Sequence, residues 1–316
     1  MPEKYETYGG NFILPHPYMI EQMSGYGVAV AGDAFKMQEL CNRTLNCNGK
    51  HLRYFVIAPT VLFTFMRMGS LCSADAPDSE HGFFTEQELN VTMLLAAIDG
   101  SGIRLVWYMP YLWLDSGAAL ISGRDIYGFP KQLATVTMPA GPGDLAEMAV
   151  KGEVLHRFEP VQAGNMNIVT VRRTDAPQLD ILTSAAGVVD ALNMLLGSVL
   201  GNIDASFLPP GSFLPDINLN NLRMAWMRQL PSIANFKQAC FRSVVEAPFG
   251  VTAFRDAGLL AGFYEIEIPK HDSVGIADEL GFPADANGDV RMPALAAYHL
   301  SFDFKLGTGQ ELWVET

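Results

Sequence analysis

Along most of the chain, apolar and polar positions alternate with the period of two that marks a strand, and helical spacing is confined to a few segments. The pattern predicts strands over residues 27–31 and 53–68, with Pro59 dividing the second run in two or marking an edge. Three apolar runs follow at 83–98, 103–114 and 118–121, separated by Asp99-Gly100-Ser101-Gly102 and Asp115-Ser116-Gly117. In the middle run, Arg104 and Tyr108 share one parity while Ile103, Leu105, Trp107 and Met109 share the other, as in a half-buried strand. Runs at 133–138, 147–158, 167–173, 236–247, 259–268 and 295–305 continue the series.

Helices are expected over 34–41, with Asp33 as N-cap, and over 180–200, where Leu182, Ala186, Val189, Leu192 and Leu196 recur near helical spacing before Gly201. Residues 70–80 and 208–219 read as loops, and 271–291 as a helix followed by a turn at 285–289. Short strands at this spacing predict an antiparallel sandwich or barrel, not alternating βαβ units.

Composition narrows the class. Of 316 residues, 49% are apolar and 17% charged, enough to build a large core. The formal net charge of −13, with no basic stripe, excludes nucleic acid as a partner. The first residues lack the basic and apolar regions of a secretory leader, and Asp180 and Asp190 interrupt the longest apolar segment, so neither export nor a membrane span is expected. Cys41, Cys47, Cys72 and Cys240 show no metal or disulfide spacing and read as reduced thiols of a cytoplasmic protein. The turn Asp285-Ala286-Asn287-Gly288-Asp289 lacks the glutamate that a calcium loop needs. No ligand spacing supports a metal, and no Gly-rich strand–helix junction supports a nucleotide, so no cofactor is expected.

The chemistry centres on Gly123-Arg124-Asp125-Ile126-Tyr127-Gly128-Phe129-Pro130-Lys131-Gln132. It places a lysine after a proline in an aromatic setting, and taking an amine out of water disfavours its charged form and frees it to attack a ketone. This segment resembles the Gly-Arg-Glu and aromatic-Pro-Lys-Lys active-site segment of the acetoacetate decarboxylase superfamily. The resemblance implies a β-rich α+β fold, an antiparallel barrel or cone with flanking helices. It covers most of residues 1–316 as one domain, with an expanded region at 178–232. It also implies that Lys131 forms a Schiff base with a substrate ketone. Phe83-Phe84-Thr85-Glu86 resembles the family's aromatic-Thr-Glu segment, which makes Glu86 the pocket acid. Glu88, at the same strand parity, is the alternative; solvent-facing carboxylates on an edge strand are the structural reading of both. Within the motif, Arg124 is a candidate carboxylate binder or a structural partner of Asp125, and Tyr127 and Phe129 are candidate pocket walls.

The departures from the family pattern bear on the reaction. Its second lysine is Gln132 here, a neutral neighbour that cannot act on Lys131 through charge, and its pocket arginine and second glutamate align with Ala31 and Thr64. A cofactor-independent lyase acting on a small-molecule keto acid or ketone is the function these residues imply, with aldolase or dehydratase chemistry preferred to decarboxylation. Acetoacetate decarboxylation, and a catalytically silent ligand-binding relative, are the alternatives. The family habit and the apolar segment at 182–200 imply a homo-oligomer.

Overall fold

The computed structural model describes residues 5–6, 13–47, 52–100, 102–141, 147–175, 181–184 and 222–315, with the backbone alone at 181–184 and 314–315. Strands dominate: β1 (Tyr18–Ala31), β2 (Arg53–Ser73), β3 (Phe84–Asp99), β4 (Gly102–Leu114), β5 (Lys131–Thr137), β6 (Glu147–Val154) and β7 (Gly164–Arg173). They are followed by β8 (Ile181–Ser184), β9 (Arg223–Pro231), β10 (Ala239–Leu260), β11 (Tyr264–Ile268), β12 (Val290–Pro293), β13 (Ala296–Leu306) and β14 (Gln310–Glu315). Among the described residues, three α-helices accompany them: α1 (Ala34–Arg43), α2 (Gly117–Tyr127) and α3 (Ile276–Leu280). None of the described helices is long and apolar enough to cross a membrane.

The strand order β4–β3–β2–β1–β13–β10–β9 returns to β4, because β9 pairs with β4 through Val106–Arg223, Trp107–Met224 and Tyr108–Ala225. A ring of strands results, and closing the sheet on itself removes exposed edges. A second arm, β5–β6–β7–β11–β12, continues from β4. The ring and arm are antiparallel except where β4 meets β5 and β9. The sheet is therefore mixed, which corrects the all-antiparallel expectation. The cause is α2, whose length carries the chain back so that β5 starts parallel to β4.

The alternation of each ring strand serves two interiors. On β2, Val61, Phe63 and Phe65 join the main core beneath the arm, and Leu62, Thr64 and Met66 face the inside of the ring. β4 behaves likewise: Val106 and Tyr108 enter the main core, while Trp107 and Met109 face the ring's interior. It is not half-buried as its parity predicts, since apolar matter lies on both sides. Tyr108 and Trp113 are core residues for the same reason.

Other local expectations need adjustment. Asp33 caps α1 as read, its Oδ1 accepting from the backbone N–H groups of Phe35 and Lys36. Pro59 does not divide β2 or mark an edge, because β2 lies between β1 and β3. It falls within the register irregularity between Val56 and Val61, where its missing N–H is tolerated. The loop expected from residue 70 begins only after Ser73. Residues 118–121 are helical, not a strand. Residues 181–184 form a strand against β10, and 223–231 are a strand within the region read as an insertion. The remainder of the helix expected over 180–200, its cap at Gly201 and the loop at 208–219 lie outside the described residues.

Candidate active site

The motif around Lys131 is built by one helix ending and one strand beginning. Ser116 opens α2, its Oγ accepting from the Ala119 N–H at 3.3 Å. Gly128 closes it in the left-handed conformation, φ 82°, where its N–H donates to Arg124 O and Phe129 N–H donates to Gly123 O. A side chain at Gly128 would be both strained and 2.5 Å from the Arg228 backbone. Pro130 then breaks the helix, and Lys131 is the first residue of β5.

α2 stoppers one end of the ring. Leu14 N–H donates to Ser122 Oγ at 2.8 Å, Tyr18 OH donates to Leu14 O, and a cluster including Tyr18, Ala119, Tyr127, Phe129, Trp226 and Phe304 packs around the helix. Lys131 projects between this stopper and β3. Its ammonium is buried, donating to Glu86 Oε1 at 3.1 Å and Ala119 O at 3.3 Å, with Glu88 Oε2 at 4.0 Å and the Phe129 ring centroid at 5.2 Å. Gly123 makes room for this path, since a Cβ there would lie 2.9 Å from Lys131 Cδ and 3.0 Å from Cε.

β3 supplies the acids. It lies inside the sheet, between β2 and β4, and Glu86 and Glu88 are 2% and 3% exposed. The edge-strand reading of the two carboxylates is thereby overturned. Glu88 Oε1 accepts from Asn90 Nδ2 at 2.9 Å, and burial, followed by the charge of Glu86, holds the Glu88 carboxyl well above the usual carboxylate range. Such a group holds its proton to higher pH in the fold than in the unfolded chain. Its contribution to stability is full below about pH 4.3, the ordinary glutamate value, and is lost as pH rises through its raised native value. Glu88→Gln keeps the acceptor toward Asn90 and removes the titration. Urea unfolding at about pH 5 and about pH 8 should show the variant gaining on the wild type with rising pH. Parallel profiles would show that Glu88 is not held protonated.

The cavity inside the ring has a volume of about 210 Å³ and is lined from all the ring strands, from α2 and from Phe129 and Lys131. Thr64 lines it, hydrogen-bonded to Tyr298 OH at 2.6 Å. Lys131 is the one cation among the described lining residues. Arg223, between the lining residues Leu222 and Met224, joins Arg104 and Tyr54 OH on the buried carboxylate of Glu246, and Arg67, between Met66 and Met68, has the opposite strand parity to those lining residues.

The sequence-predicted residues divide accordingly. Lys131, Glu86, Glu88 and Phe129 are brought together. Gln132 does not enter the cavity, because consecutive strand residues face opposite sides; its exposed side chain lies with Arg124 in an outer groove that Lys131, Phe129 and Met109 also border. Arg124, exposed on α2, is directed away from the cavity, and no hydrogen bond or ion pair joins it to Asp125. Tyr127 is fully buried behind Phe129, its hydroxyl donating to Gly307 O at 2.8 Å. Ala31 is exposed at the end of β1, outside the cavity. Asn90 and the β10 and β13 walls, including Phe254 and Phe302, escaped the sequence reading. Asn90 carried a signal, since it continues the Glu86–Glu88 alternation; the walls carried none that places them beside residue 131.

A mixed-sheet ring holding a buried lysine against two carboxyls defines a class of lysine-centred β-rich proteins. Residues 51–173, which contain Glu86, Glu88 and Lys131, match the family profile of Acetoacetate decarboxylase (ADC). No sequence among curated proteins matches it. Its fold is similar to that of acetoacetate decarboxylase from Legionella pneumophila subsp. pneumophila str. Philadelphia 1. That likeness has a TM-score of 0.60 and 13% identity, over 99% of this chain and 93% of that one. It is also similar to the enduracididine biosynthesis enzyme MppR, a structure complexed with the condensation product of pyruvate and imidazole 4-carboxaldehyde. There the TM-score is 0.54 and the identity 14%, over 95% of this chain and 90% of that one.

Proposed function

We propose that this protein is a lyase that binds a ketone or keto acid as an imine on Lys131 and performs aldol-type carbon–carbon bond chemistry or dehydration. The observation that carries this reading is the buried Lys131 amine, 3.1 Å from one carboxyl and 4.0 Å from a second, at the stoppered end of the cavity inside the ring. Glu86 takes a proton from the ammonium, and the free amine attacks the carbonyl carbon. Protonated Glu88 then gives its proton to the carbinolamine hydroxyl, which leaves as water, and the C=N bond forms. The iminium is an electron sink, so a carboxylate can next remove a proton from the adjacent carbon to give an enamine nucleophile. The absence of a second cation among the described lining residues favours this course over decarboxylation, which needs the departing carboxylate held in place. The condensation product bound by MppR is in keeping with it.

Borohydride reduction in the presence of acetone, pyruvate or acetoacetate tests the reading. A reduced adduct on Lys131, located by peptide mass spectrometry and missing in Lys131→Met, is expected. Folded wild-type protein that traps none of these ketones, nor a longer one, would identify a ligand-binding relative without the chemistry. Carbon dioxide release from acetoacetate would reverse the preference for aldol chemistry.

A further inference from the structure

We infer that the natural substrate is an uncharged, apolar ketone of about eight to ten non-hydrogen atoms, a conclusion that rests on Lys131 being the imine-forming residue. Size comes first. An apolar cavity of about 150 Å³ accepts benzene, with its six carbons, and by the same proportion the 210 Å³ here takes a molecule about half as large again. A three-carbon ketone would leave most of that apolar wall in contact with nothing.

Shape points the same way. The amine lies at the stoppered end, beside Glu86, and the lining of β3 continues through Glu88 and Asn90 to Thr92, on the order of 20 Å at about 3.3 Å per residue. Beyond the acids, the walls are Leu62, Met66, Trp107, Phe254 and Leu300. The methionines among the lining residues are unbranched and adaptable, suited to a chain with several conformations. The hydroxyls of Thr64 and Tyr298, 2.6 Å apart, share a hydrogen bond and supply no charge.

Electrostatics disfavour the acid form. The iminium on Lys131 is the one positive charge in the cavity and Glu86 lies beside it, so a substrate carboxylate would be buried with no second cation among the described lining residues. Arg104 and Arg223 cannot serve, because both are hydrogen-bonded to Glu246. A substrate without a carboxylate cannot lose carbon dioxide, so its reaction runs through removal of a proton beside the iminium and formation or cleavage of a carbon–carbon bond.

Two measurements on the wild-type protein test the inference. Calorimetry with octan-1-ol, butan-1-ol and octanoate reads the cavity without imine formation. Each buried methylene is worth about fourfold in affinity, so octan-1-ol should bind on the order of 100-fold tighter than butan-1-ol. It should also bind at least about tenfold tighter than octanoate, whose carboxylate meets a lysine already paired with Glu86. Equal affinity for octanoate, or none of the gain with length, would overturn the inference. Borohydride trapping with octan-2-one and acetone supplies the second readout, with octan-2-one expected to label Lys131 at far lower concentration. Acetone labelling without that preference keeps the imine and overturns the apolar substrate. Chain-length preference without labelling by either ketone overturns the imine, and with it the ketone assignment.

Discussion

Gly123→Ala is expected to reduce the rate of reductive trapping on Lys131 by about 100-fold or more while leaving the protein folded. The new methyl would lie 2.9 Å from Lys131 Cδ, 3.0 Å from Cε and 3.2 Å from Phe129 Cδ2, all inside ordinary contact distance. The lysine stem must move, and its amine leaves the position shared by Glu86 Oε1 and Ala119 O. A displacement near 1 Å at a reacting atom is enough for a loss of about 100-fold. Stability is expected to change much less. Alanine is favoured over glycine inside a helix by about 1 kcal/mol, which offsets part of the about 1–3 kcal/mol cost of overpacking. Rates of acetone trapping and urea midpoints, measured together, check both halves. Unaltered trapping would mean that close packing against α2 does not position the amine.

This dependence on Gly123 marks what could be read from sequence and what could not. Local chemistry was legible: the Asp33 cap, the long strands, and the lysine placed after a proline in an aromatic setting all follow from residue type and spacing. The four apolar residues at 118–121 were too few for periodicity to separate strand from helix. Ser116 and Gly128, the residues that cap α2, were the better guide. Gln132 was misplaced because adjacency in sequence was taken for adjacency in space, and the period of two sends it to the opposite side from Lys131. A barrel or cone was expected, but which strands close the ring was not legible. Its closure depends on three pairings between β4 and β9, which no local pattern announces, and that closure brings β10 and β13 around the cavity. For the same reason, the engagement of Arg104 and Arg223 with Glu246 could only be seen in three dimensions.

Lys131→Met is expected to lower the unfolding free energy by about 3–5 kcal/mol, and adding Glu86→Gln is expected to restore most of it. Removing one member of a buried ion pair leaves the other as an uncompensated charge, and that penalty, not the worth of the pair, sets the size of the loss. Glu86 is poorly placed to bear it. Its Oε1 would lose the Lys131 donor, which leaves the Glu88 carboxyl as the neighbouring group able to hydrogen-bond it, without a cation to balance its charge. Replacing both partners by uncharged groups of similar length removes the charge and its desolvation cost together. Exchanges of this kind are often neutral or stabilising. Urea midpoints at constant slope for the wild type, both single variants and the double variant give the coupling as a double-mutant cycle. A single variant as stable as the wild type would show that Glu86 is relieved by water or by another group. With the expected outcome, the double variant is a stable protein that traps no ketone. The chain then does not need this lysine and this glutamate in order to fold, and the cost of burying them is met by the chemistry they perform.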